Sequence, residues 1–132
     1  MMQKIFSVIA IQLPLSAMAL PCETFPMNLK PDSASIDSCA QLGFVGAAHL
    51  ETCEAKSALL KSPRGEEFTL TTDDSSLWSH QSVDVDSETH ATALTSVTVN
   101  TAKKSFQASF VMTDSYGHPR SKITCGGQIS PL

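Results

Sequence analysis

No apolar run in this chain reaches the length of about 20 residues that a membrane-spanning helix needs, which argues against membrane insertion. Basic residues are few: 9 Lys and Arg stand against 13 Asp and Glu, for a net charge of −4 in 132 residues. Apart from Lys103-Lys104 they are scattered. Such a chain offers little to a phosphate backbone, so nucleic acid is not an expected partner. There is no C-x-x-C pair for redox work or zinc, and no G-x-S-x-G to hold a nucleophilic serine. Aromatic residues make up only 6% of the chain, with a single tryptophan, Trp78. No internal repeat, linker or low-complexity tract is visible.

What is present begins with MMQKIFSVIAIQLPLSAMA, residues 1–19. Lys4 gives a short positive start, Ile5 to Leu15 an apolar stretch interrupted by Ser7, Gln12 and Pro14, and Ala17-Met18-Ala19 the small residues read by a signal peptidase. The expectation is a cleaved signal peptide over residues 1–19 and a single secreted domain over 20–132, exported to a periplasm or beyond. Cys22 follows closely, but Pro21 stands where a lipoprotein signal carries a small residue, so the protein is read as unlipidated.

All four cysteines, Cys22, Cys39, Cys53 and Cys125, lie beyond the leader. An even number in a short exported chain reads as two disulfides. Four cysteines allow three pairings; Cys22–Cys39 with Cys53–Cys125 is the pairing expected here, one closing a short N-terminal loop and the other fastening an early segment to the last strand.

Strong helix formers are sparse after residue 62, and period-2 patterns recur. EEFTLTT (66–72) alternates Phe68 and Leu70 with threonines, and AKSALLK followed by SPRG reads as its partner strand and turn. TSVTVN (95–100) and SFQASFVMT (105–113) flank NTAKK as a hairpin. DSYGHP (114–119) is a turn, and SKITCGG (121–127) a short final strand. Asp32 and Ser33 open a short helix over 33–42, since Gly43 and Gly46 each cost a helix about 1 kcal/mol relative to Ala. An irregular or extended link follows. The fold class expected is mainly β: a small antiparallel sandwich or open barrel with one short N-terminal helix, stapled by disulfides.

The segment most suggestive of chemistry is HQSVDVDSETH, 80–90. If it is extended, His80, Asp84, Asp86, Glu88 and His90 share one face and Val83 and Val85 the other. Imidazoles and carboxylates supply the donors of a divalent metal, so His80, Asp84, Asp86 and His90 form a weak candidate metal set. Alternate strand residues, however, stand about 6.6 Å apart, and His80 and His90 would be separated by roughly 30 Å in a straight strand. The simpler reading is a charged edge strand facing water. The segment lacks the glycine of an EF-hand loop.

Asp114, Ser115 and His118 carry the residue types of a hydrolytic triad, but such triads are assembled from separate chain segments; these residues read as a turn. Glu66-Glu67 and Asp73-Asp74 alternate across strand faces and read as solvated ends. Trp78 is placed in a loop by its flanking serines, packing there or forming a contact with a partner.

No catalytic residues and no cofactor are assigned. The function expected is a binding or interaction module of the cell envelope or secretome, holding a protein or glycan, with an inhibitor of an extracytoplasmic enzyme as its most specific form. Two other classes are a small metal-dependent hydrolase using the 80–90 segment and a structural envelope component that associates through a sheet edge.

Overall fold

The structure is a computed structural model and describes residues 22–132; the leader expected over 1–19 lies outside them. Eight strands follow one another around a closed barrel: β1 Glu23–Pro31, β2 Gly46–Glu54, β3 Ser57–Lys61, β4 Glu67–Thr72, β5 Leu77–Val85, β6 Thr92–Asn100, β7 Ser105–Thr113 and β8 Pro119–Ser130. Each is antiparallel to the next, and β8 pairs with β1 from Asn28↔Ser130 to Pro31↔Gly127. The expected mainly-β class with one short helix is found, but the sheet is neither a sandwich nor open. Closure follows from the length of β8. Its first residues pair with β7 alone, whereas its last four reach β1.

Alternation along the strands fills the barrel. Side chains of one parity point inward on every strand. They include Met27 and Leu29, Ala48 and Leu50, Ala58 and Leu60, Leu70, Val97 and Val99, and Phe106 and Ala108, all buried. The opposite parity carries Lys30, His49, Thr69, Thr71, Gln107 and Gln128, all exposed.

Between β1 and β2 a 3-10 turn, Ser33–Ser35, leads into helix α1, Ile36–Leu42, as the reading of 33–42 anticipated. The helix stops at Gly43, whose φ of 82° is left-handed and whose missing Cβ makes room for the Arg64 side chain. The Arg64 guanidinium then donates to the carbonyls of Leu42 (3.0 Å) and Gln41 (3.5 Å).

Four of the hairpin turns are built the same way. Asp74 accepts from the N–H groups of Ser76 and Leu77, Asp86 from those of Glu88 and Thr89, Asn100 from Lys103, and Asp114 from Tyr116 and His118, at 2.8–3.0 Å. A short side-chain acceptor beside a reversing backbone satisfies N–H groups that no neighbouring strand reaches.

Several expectations are corrected. The segment after Gly43 is no mere link, since Gly46–Glu54 is a nine-residue strand; pairing on both sides, with β1 and β3, outweighs its weak local propensity. Cys22 and Cys53 form one disulfide and Cys39 and Cys125 the other, with Cα–Cα separations of 4.2 and 4.9 Å. The expected pairing fails because β1 and β2 are antiparallel neighbours. Their register, Glu23↔Thr52, carries Cys22 onto Cys53, while α1 packs on β8 and lays Cys39 against Cys125. Trp78 is the second residue of β5 rather than part of a loop, paired with Val99 and 6% exposed.

Candidate functional site

At one end of the barrel lie the start of β1, the end of β8 and the β2–β3, β4–β5 and β6–β7 turns. This end opens into a cavity of about 590 Å³. Inward-facing Met27, Leu50 and Trp78, all buried, form its depth, and Phe25, Pro26 and Ile129 its apolar walls. Glu23, Glu54, Ser75, Thr101 and Lys104 come from the strand ends and turns around the opening.

Lys104 is placed there by its backbone, and its side chain has no ion-pair partner among the described residues. Its φ is 53°, and its carbonyl accepts the N–H of Ile129 at 2.8 Å. The hydroxyl of Thr101 donates to Ser76 O at 3.2 Å and that of Thr52 to Glu23 O at 3.5 Å. The Trp78 indole N–H makes no hydrogen bond with any described residue, although the ring is buried. The Thr52 and Thr101 hydroxyls at the opening therefore have partners, while the deeper indole N–H has none among the described residues.

The opposite end carries a smaller cavity. A cavity of about 370 Å³ lies under α1, lined by Phe44, Phe68, Val97, Phe110 and Ile123. Arg64, bound to the end of α1 and paired with Glu66 at 3.3 Å, is among its lining residues. Phe44 stands between Phe68 and Phe106, with ring centroids 5.7 and 6.5 Å away.

The candidate metal set is spread along the β5–β6 hairpin. His80 lies on β5, where its Nδ1–H donates to Thr69 O at 2.9 Å and its ring meets Phe68 edge-on at 5.5 Å. Asp84 follows on the same face of β5, exposed. Asp86 begins the turn. Its carboxylate accepts from the N–H groups of Thr89 and Glu88, which lower its pKa below the ordinary value, the Thr89 bond contributing most. His90 ends that turn with a φ of 61°. Extension stops at Val85, so the single face drawn from His80 to His90 does not form. Among the described residues no group of three or more His, Cys, Asp or Glu is placed to share a metal ion.

Asp114, Ser115 and His118 form the β7–β8 turn. The Asp114 carboxylate pairs with the Arg120 guanidinium at 3.8 Å, and His118 Nδ1 lies 3.9 Å from the same carboxylate.

Of the residues singled out in the sequence, Trp78 is the one that lines the larger cavity. Phe25, Met27 and Ile129 were missed. The alternation Phe25, Met27, Leu29 was a strand signal, obscured by Pro26 and Pro31; Ile129 joins them only through closure of the barrel. No family model, curated protein or solved structure matches the chain.

Two disulfides point to an oxidising, exported compartment. Cys22 commits its sulfur to Cys53. Among the described residues no helix is long and apolar enough to cross a membrane.

Proposed function

We propose that the protein is an exported binding module, of the periplasm or beyond, that takes the apolar body of a small molecule into the open mouth of the barrel. The observation carrying this reading is the cavity of about 590 Å³ with Met27, Leu50 and Trp78 at its depth. Ligand sites of small molecules occupy roughly 300–1,000 Å³, are mostly apolar, and lie at the mouths of β-barrels. An eight-stranded barrel is wide enough to hold one small ligand.

The concave site favours a small molecule over the protein or glycan that composition alone suggested. Trp78 is sunk in the wall at 6% exposure rather than projecting as an interface anchor. Except on β5, where Leu77, Val83 and Val85 are exposed, the barrel's apolar inside and polar outside are the reverse of a lipid-facing barrel, which supports a protein standing in water.

The test is titration with N-phenyl-1-naphthylamine, following quenching of the single tryptophan. The expected outcome is saturable binding with quenching of Trp78. In Thr52→Phe, which adds bulk to the cavity lining, affinity is expected to fall by about tenfold or more with the near-ultraviolet circular dichroism preserved. Absence of saturable binding, or equal binding in a folded Thr52→Phe variant, overturns the reading.

A further inference from the structure

We infer that the molecule held in this mouth carries an uncharged hydrogen-bond acceptor, a ketone, ester or ether oxygen, which takes the indole N–H of Trp78. The inference rests on the proposed mouth site and adds the polarity of its ligand.

An indole nitrogen is a donor and nothing else. Buried donors are nearly always paired, because an unpaired one forfeits its hydrogen bond to water. Trp78 is 6% exposed and its indole N–H donates to no other described residue, while the side chains sharing the depth of the cavity, Met27 and Leu50, are apolar. Met sulfur is at best a weak acceptor. The hydroxyls of Thr52 and Thr101 are directed to backbone carbonyls at Glu23 and Ser76. A ligand that brings an acceptor to the indole supplies what these walls do not. An all-hydrocarbon ligand leaves the donor unpaired.

The charge around the opening points the same way. Glu23 and Glu54 on β1 and β2 stand against Lys104 in the β6–β7 turn. Charges of both signs flank the entrance, whereas the apolar depth has none to neutralise an ion. A formal charge carried inward would lose water without a counter-charge, so the class selected is a neutral, mainly apolar molecule with an oxygen acceptor.

The experiment measures displacement of N-phenyl-1-naphthylamine by 2-acetylnaphthalene and 2-ethylnaphthalene, which share a ring system and differ chiefly in a carbonyl oxygen, on the wild-type protein and Trp78→Phe. The ratio of the ketone's affinity to the hydrocarbon's is expected to be about 3–10-fold higher in the wild type than in the variant, the range of a net hydrogen bond. Because the phenyl variant can also disturb packing, the wild type is read separately by 15N–1H correlation spectra. Its single indole N–H resonance is expected to move downfield with the ketone and not with the hydrocarbon. Equal ratios, or indole shifts that do not distinguish the ligands, overturn the acceptor and leave the mouth site standing. If neither molecule displaces the probe and the probe itself does not saturate, the mouth site fails as well.

Discussion

The backbone of Gly127 lies directly against the carbonyl of Lys30, where β8 meets β1 and the barrel closes. A Cβ at Gly127 would overlap that carbonyl and the Cα of Pro31, backbone atoms that cannot swing aside. Its neighbour Gly126 is different: a Cβ there would meet Phe106 O at 3.7 Å and Asp32 Oδ2 at 3.9 Å, ordinary contact distances. Gly127→Ala is therefore expected to force the closing seam apart, with a loss of more than about 2 kcal/mol. Gly126→Ala is expected to stay within about 0.5 kcal/mol of wild type. Urea denaturation of both variants checks this, and similar midpoints would refute the steric account.

The two disulfides differ in access. Cys39 and Cys125 are buried between α1 and β8, at 0% and 1% exposure, whereas Cys22 and Cys53 lie at the surface of β1 and β2. Thiol–disulfide exchange requires a thiolate to reach sulfur. Under native conditions dithiothreitol is expected to open Cys22–Cys53 first, so that alkylation followed by mass measurement shows two modified cysteines well before four. In the chain-entropy model, closures spanning 31 and 86 residues contribute about 4 and about 5 kcal/mol. Loss of the inner bond is thus expected to accompany unfolding. Simultaneous release of all four thiols from folded protein would contradict the exposure difference.

What the sequence conveyed was local. The β6–β7 hairpin, the β3–β4 pair and the short helix ending at Gly43 each announce themselves within a dozen residues, by alternation, by turn residues or by a stop signal. β1 and β2 do not. Pro26 and Pro31 interrupt the first, and Gly46-Ala47-Ala48 opens the second without strand-forming side chains. Both become strands because each has partners on either side. The disulfide pairing failed for the same reason, since the register of β1 on β2 is a long-range property. Trp78 stood out as a lone large aromatic, but its role as cavity wall depends on Met27, Leu50 and Ile129, which are brought to it by closure. Asp86 and Asp114 organise turns through their carboxylates.

Asp74 shows what this turn chemistry does to pH dependence. Its carboxylate accepts from the N–H groups of Leu77 and Ser76, bonds that hold its pKa down at about 2 from an ordinary value of 3.8, the Leu77 bond contributing most. A pKa lower in the folded than in the unfolded state stabilises the fold above the unfolded value, and that contribution is lost as pH falls through the folded one. Its share of stability is therefore complete above about pH 4 and disappears between about pH 4 and 2. Asp74→Asn keeps an acceptor but cannot titrate, so its urea midpoint is expected to fall less steeply than that of wild type across this window. Asp74→Ala loses acceptor and charge together and is expected to be the less stable variant at pH 7. Parallel acid limbs in wild type and Asp74→Asn would remove the assignment.

The β5 strand carries a finer signature. Hydrogen bonds from Thr101 N–H to Ser76 O and from Asp86 N–H to Ala91 O bracket the β5–β6 ladder. In an antiparallel pair alternate residues face the partner, so Trp78, His80, Ser82 and Asp84 direct their backbone groups to β6. Ser79, Gln81, Val83 and Val85 direct theirs the other way. There β4 pairs only at Thr71↔Ser79 and Thr72↔Trp78, and the carbonyl of Thr69, next along β4, receives the His80 ring instead. Beyond Ser79 the outer edge of β5 thus has no strand partner among the described residues, and Val83 and Val85 are 61% and 60% exposed. Amide hydrogen exchange is expected to alternate residue by residue, fast at Gln81, Val83 and Val85 and slow at Ser82 and Asp84. Uniform protection along β5 in dilute protein would mean that another strand covers this edge. If that protection vanished on dilution, the covering strand would belong to a second copy, and the self-associating envelope component would be favoured over the binding barrel.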